Sequence, residues 1–286
     1  MDTLVEYAGP DAVAGPFARL TLNSPHNRNA LSTALVGQLH QGLRDAAADP
    51  GVRAVVLGHT GGTFCAGADL SEAGGGDPRG DREGGGSGRS GSPPSAYDMA
   101  VTRAREMTTL LRAIVSSPLP VIGAINGHVR AGGFGLVGAC DIAVAGPRST
   151  FALTEARIGV TPAIISLTLL PKLSPRAAAQ YYLTGETFDA AQAADIGLVT
   201  TAVHDVDAAV AKLVADIGRG SPQGLAASKA LTTTAVLEGF DRDAERLTEE
   251  SARLFVSDEA REGMLAFLQK RPPAWVRPTG ADDRGN

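Results

Sequence analysis

The stretch NGHVRAGGFGLVGACDI, Asn126 to Ile142, packs five glycines into an apolar run whose only formal charge before Asp141 is Arg130. Read literally, Gly133-x-Gly135-x-x-Gly138 spells a dinucleotide-binding fingerprint, which needs its first glycine directly after a strand and an acid for the ribose further on. Neither requirement is met. His128 to Gly132 separate Gly133 from the strand-like PVIGAIN, the β-like run CDIAVAG begins two residues after Gly138, and that run ends in Gly146-Pro147. A different chemistry suits these glycines. At a strand-to-helix corner, glycine exposes the first unpaired N–H groups of the helix and puts no Cβ in the way of a ligand oxygen. HTGGTFCAGADL, His59 to Leu70, is a second glycine-bearing corner after the strand-like VRAVVLG. One amide from each corner, aimed at one point, makes an oxyanion hole, in which a donor is worth roughly 3 to 4 kcal/mol of transition-state stabilisation.

The titratable side chains near these corners have ordinary structural readings. Asp69 suits a helix cap, while His128 and Arg130 suit hydrogen-bonded loop positions. Cys65 has no activating base evident in the sequence and suits a small buried residue. Glu155, in TFALTEARIGV, could by itself pair with Arg157 along a strand face.

The elements that must position these residues alternate along the first half of the chain. The β-like AVAGPFARLTLN, VRAVVLGH and LPVIGAING are separated by the helical patterns LSTALVGQLHQGLRDAAADP and AYDMAVTRAREMTTLLRAIVSS, which predicts a mainly parallel sheet with helical cover. Between residues 74 and 92 nine of nineteen residues are glycine and nothing is apolar, so a flexible surface insertion is expected. The second half reads as helices. SPRAAAQYYLTG has Ser174 as its cap and Pro175 at the first helical position, and DAAQAADIG runs from an Asp189 cap to a Gly197 stop. Four helices follow: DVDAAVAKLVADIG, SPQGLAASKALTTTAVLEG, DRDAERLTEESARLFV and DEAREGMLAFLQK, the second stopping at Gly239.

With 286 residues the chain can bury roughly three quarters of its unfolded surface. Its 43% hydrophobic and 20% charged residues match an ordinary soluble globular protein. The net charge of -5 offers no electrostatic footprint for nucleic acid or an anionic membrane. Ala113 to Val129 is free of formal charge, but Pro118, Pro120, Asn126 and Gly127 interrupt it, and it reads as a buried strand rather than a membrane span. Two cysteines, Cys65 and Cys140, make neither a disulfide framework nor a metal spacing. The N-terminus has acids and no basic residue before Arg19, unlike a secretory leader. The expectation is a cytoplasmic protein with no metal.

Taken in order, LNSPHNRNALS, FCAGADL, NGHVRAGGFGLVGACDI, TFALTEARIGVTP, LTGETFDAAQAADIGLV and EGMLAFLQKR resemble the enoyl-CoA hydratase/isomerase (crotonase) superfamily over about nine tenths of the chain. The resemblance implies an α/β fold: a crotonase-like spiral of ββα repeats over residues 1–200, with the 74–92 insertion, and a C-terminal helical trimerisation region over residues 201–286. The implied assembly is a homotrimer or a dimer of trimers. The implied substrate is an acyl-CoA thioester, with no separate cofactor because coenzyme A enters as part of the substrate. The resemblance puts the oxyanion donors at the backbone N–H groups of Ala68 and Gly132 and catalysis at Glu155. It puts Arg28 at the CoA phosphate and adenine end, and Ala30, Ala66, Asp69, Leu70 and Gly135 along the substrate. Hydratases of the family use two glutamates, and the first of them falls on Gly135, which leaves extra room beside the acyl chain. Hydration of a 2-enoyl-CoA is the leading expectation. A Δ3-Δ2 enoyl-CoA isomerase working with one acid is the alternative, and binding of acyl-CoA or RNA without turnover stands behind both.

Overall fold

The computed structural model describes residues 2–69 and 94–276. The chain starts with β1 (Val5–Ala8) and β2 (Phe17–Leu22), joined through a single helical turn at Pro10–Val13. The β-like run from Ala12 to Asn23 is thus a strand only from Phe17, and Val5–Ala8 adds an antiparallel edge to it. Next come α1 (Thr33–Ala48), β3 (Ala54–His59), β4 (Thr63–Cys65) and α2 (Ala96–Ser116). Then follow β5 (Val121–Ile125), β6 (His128–Arg130), α3 (Gly132–Ala139), β7 (Ile142–Ala145) and β8 (Thr150–Ala152). After a 3-10 turn at Glu155–Ile158 come α4 (Ser166–Leu169), α5 (Pro175–Thr184), β9 (Phe188–Asp189), α6 (Ala190–Asp195) and β10 (Thr201–Ala202). The chain then runs through α7 (Val206–Ile217), α8 (Pro222–Phe255) and α9 (Asp258–Leu268).

The strands sort into two sheets. One has the order β1-β2-β3-β5-β7-β10 and is parallel apart from β1; the other has the order β4-β6-β8-β9 and is parallel apart from β9. Each long strand of the first sheet (β3, β5, β7) is followed within a few residues by a three-residue strand of the second (β4, β6, β8), and the chain then leaves the sheets for helical cover. That is the ββα spiral expected. The central strands β3, β5 and β7 are buried on both faces, being apolar at every position but the last of β3, His59. Val55, Leu57, Val121 and Ile125 face the main core, while Ala54, Val56, Ile122 and Ala124 pack under Val206, Val210 and Val214 of α7.

The helix starts follow their caps. Ser174 accepts from the Ala177 N–H ahead of Pro175, and Asp189 accepts from the Gln192 N–H. One expected stop is absent: Gly239 lies inside α8, a single helix of 34 residues, rather than between two helices. A mid-helix glycine costs about 1 kcal/mol relative to alanine, which the packing of α8 against α2 outweighs. Arg112 of α2 pairs with Asp241 at 2.7 Å and lies over the Phe240 ring, across the position of the expected break. The glycine-rich 74–92 segment lies outside the described residues. Among those described, no helix is long and apolar enough to cross a membrane.

Candidate active site

The second sheet builds both corners. β4 ends at Cys65, the Ala66 N–H donates to the Arg28 carbonyl at 3.1 Å, and Gly67 turns at φ +93°. The Leu31 N–H then donates to the Gly67 carbonyl (2.8 Å) and the Asp69 N–H to the Leu31 carbonyl (3.3 Å), so that Leu31 and Ala68 form a parallel bridge. In such a bridge the residue between the two bonded ones turns its own N–H to the other side. The Ala68 N–H accordingly has no acceptor among the described residues. The loop that supplies Leu31 is held by buried Asn29, whose side chain accepts from the Ser24 N–H and donates to the carbonyls of Thr60 and Thr63.

β6 ends at Arg130, and Ala131 turns the chain at φ +45°, a conformation that costs a non-glycine residue energy. Gly132 opens α3, and its N–H, in the first helical turn, also lacks an acceptor among the described residues. The corners touch: a Cβ on Gly67 would lie 2.6 Å from the Ala131 Cβ and 3.1 Å from the Gly132 nitrogen. Glycine at 67 is required both by its dihedral and by this approach.

Ala68, Gly132 and Glu155 line one cavity of about 460 Å³. Glu155 starts the 3-10 turn after β8, is only 8% exposed, and leaves its Oε2 buried without a hydrogen-bond partner. Burial pushes its carboxyl from 4.5 up to about 7, against the opposing pull of its own N–H and that of Thr154. Pairing with Arg157 does not occur; that guanidinium turns away and donates twice to the Thr184 carbonyl, at 3.0 and 2.7 Å.

The other expected site residues divide. Asp69 lines the cavity and accepts from the Asn27 side chain at 3.2 Å. Arg28 is exposed beside the first corner, Ala30 is buried and Ala66 half-buried there, and none of the three borders the cavity. Leu70, and the helix that Asp69 would cap, lie outside the described residues. Gly135 corrects the expectation of extra room: it is buried and does not border the cavity, and a Cβ there would meet the Cγ2 of Ile165, a wall residue, at 2.6 Å. The space is filled because α4 lies directly on α3. His128 bonds the Thr150 hydroxyl at 2.8 Å and Arg130 the Thr150 carbonyl at 2.8 Å. The Cys65 thiol is pushed up to about 12 by burial, which keeps it protonated and unreactive.

The rest of the wall includes polar side chains such as Glu106 and Ser251, and sequence reasoning also did not reach its apolar members, among them Met107 of α2, Ile164 and Ile165 before α4, Phe255 at the end of α8 and Met264 of α9. Nothing in their local patterns separates them from ordinary core positions.

Residues 14–89 and 95–278 match the family model described as enoyl-CoA hydratase/isomerase. The chain belongs to the enoyl-CoA hydratase/isomerase family. It is 33% identical over 281 residues to the enoyl-CoA hydratase EchA19 of Mycobacterium tuberculosis, covering 93% of this chain and 96% of that protein. It is 31% identical over 261 residues to the 2,3-dehydroadipyl-CoA hydratase of Escherichia coli, covering 89% and 92%. Among solved structures, an enoyl-CoA hydratase from Mycobacterium avium superposes with a TM-score of 0.85 at 74% identity, over 96% of this chain and all of the other.

Proposed function

We propose that the cavity adds water across the C2=C3 bond of a 2-enoyl-CoA to give a 3-hydroxyacyl-CoA. The N–H groups of Ala68 and Gly132 receive the thioester oxygen as negative charge moves onto it. Glu155 takes a proton from water as the oxygen bonds to C3, and a proton returned from its carboxyl to C2 regenerates the carboxylate and the thioester. The observation that carries the reading is the buried, unpartnered Oε2 of Glu155 on the wall that also holds the two unpaired amides. A pKa near 7 suits a group that must both accept and give a proton at neutral pH.

The family supports an acyl-CoA thioester as the substrate and Arg28 as a contact for its phosphate-bearing end. Exposed apolar side chains at the end of α9, Leu265, Phe267 and Leu268, support assembly as a homotrimer or a dimer of trimers. Two free, buried cysteines support a reducing, cytoplasmic setting.

The test is loss of the conjugated-thioester absorbance of crotonyl-CoA. Ionisation of Glu155 should make kcat/KM rise with pH through about 7. Absence of turnover, or turnover that Glu155→Gln leaves intact, overturns the mechanism.

A further inference from the structure

The turn that carries Glu155 is held on two sides. On one side Arg157 ties it to the end of α5 through two hydrogen bonds to the Thr184 carbonyl. On the other lies α9, and there the contact is backbone against backbone. A Cβ on Gly263 would sit 2.5 Å from the Ile158 carbonyl carbon and oxygen, and a Cβ on Gly159, where φ is +78°, would sit 2.6 Å from the Glu259 carbonyl carbon. Carbon atoms rest about 3.5 to 4.0 Å apart, so a side chain at either position would push helix and turn apart by about 1 Å. No change of rotamer relieves this, since the atoms met are main chain. Ala260 and Gly263 are buried at this seat. Arg261 and Met264, each one position further on and so about 100° round the helix, border the cavity. Seating α9 on the turn therefore brings its next face over the cavity that Glu155 lines.

We propose that Gly263 is a positioning residue for Glu155: its missing side chain lets α9 close on the turn, which sets the depth of the carboxyl and keeps bulk water from it. The proposal rests on the role assigned above to Glu155. The link from seat to carboxyl is short. The Glu155 carbonyl accepts from the Val160 N–H at 3.1 Å, so Ile158 and Gly159 lie inside one hydrogen-bonded loop with it. The two oxyanion corners are built from β4, β6 and the loop at Leu31, none of which α9 supplies, so a retreat of α9 changes where Glu155 stands relative to them. A proton carrier displaced by about 1 Å costs up to roughly 100-fold in rate. The other charged groups on the wall are Asp69, Arg103, Glu106 and Arg261, and Tyr182 of α5 lies close enough to feel the Glu155 charge. Burial, rather than any of these, raises the Glu155 carboxyl, so loosening α9 returns it toward its ordinary range.

The test is the pH dependence of kcat/KM on crotonyl-CoA in the parent, Gly263→Ala and Gly42→Ala. Gly42 lies on α1, where a Cβ would meet the Leu20 Cδ2 at 2.5 Å, and does not border the cavity; its variant loses packing alone. Gly263→Ala should lower the plateau of kcat/KM by roughly 10- to 100-fold and move the midpoint down from about 7 by about one pH unit. Gly42→Ala should lower Tm and leave the midpoint in place. A midpoint unmoved in Gly263→Ala, or moved equally by Gly42→Ala, overturns the proposal. Should Gly263→Ala not fold, Gly159→Asn crowds the same seat from the turn's side with a residue that accepts a positive φ, and the same outcomes apply. A second readout needs no turnover. The rise in Tm that Glu155→Gln brings at pH 8 should be about 40% smaller in the Gly263→Ala background than in the parent, and an equal rise in both overturns the positioning role. A parent inert on crotonyl-CoA would thus sink the proposed reaction while this comparison still decided whether α9 sets the carboxyl.

Discussion

Glu155 is buried and Asp141 half-buried, and the surroundings of these two acids differ in kind. Asp141 follows α3 and accepts from the Val121 N–H and from the Lys229 ammonium, each at 2.7 Å; Lys229, reaching in from α8, also donates to the carbonyls of Ile114 (2.9 Å) and Leu119 (3.0 Å). Every proton of that ammonium is used. Burial lowers the Lys229 pKa and the Asp141 charge opposes the shift. Glu155, in contrast, faces the cavity with one carboxylate oxygen unpartnered and its pKa near 7. A satisfied buried charge ties helices to a core, whereas an unsatisfied one at a cavity is destabilised in its ionised form and held ready to exchange a proton.

Removing each group should break the two sites in opposite ways. The largest effect is expected on activity: Glu155→Gln should lower kcat/KM for crotonyl-CoA by roughly 100- to 10,000-fold, the usual contribution of a positioned proton carrier, read by initial rates. Lys229→Met should lower the free energy of unfolding by about 3 kcal/mol, because the half-buried Asp141 and the carbonyls of Ile114 and Leu119 then lose their cation; denaturant titration measures this. A loss below 1 kcal/mol would erase the distinction between the two sites.

Glu155→Gln should do the reverse to stability. The folded pKa of about 7 lies above the ordinary 4.5. Below pH 4.5 both states hold the proton and there is no penalty. Between 4.5 and 7 the unfolded chain releases it first, so the parent loses stability, and above 7 the penalty levels off at on the order of 3 kcal/mol. The variant should thus be more stable than the parent at pH 8 and show little difference at pH 4; equal stability at pH 8 would mean that the carboxylate is not desolvated. The smallest effect sharpens the other side: adding Asp141→Asn to Lys229→Met should recover about 2 kcal/mol, since the amide oxygen still accepts the Val121 N–H without a stranded charge.

Legibility in the sequence followed the range of the interaction. Ser174 with Pro175, and Asp189, announced helix starts because a cap bonds a backbone group within three residues of itself. The glycine corners at 67 and 132–133 were legible as turns for the same local reason. Gly239 was misread as a stop, since its local cost is real but small beside the packing of α8 on α2. Gly135 was misread as open space, since the atoms that fill it belong to residues 107, 111 and 165, which no local pattern brings to it.

By itself the sequence determined the alternation of strands and helices, the starts of the helices capped by Ser174 and Asp189, and the two glycine corners, because each depends on backbone geometry and on neighbours within one turn. Only the tertiary structure decided that Gly67 presses against Ala131, that Glu155 turns from Arg157 into a cavity, and that Ile165 closes position 135. Those outcomes depend on which side chains reach the same few ångströms from distant parts of the chain, and on the water their packing excludes.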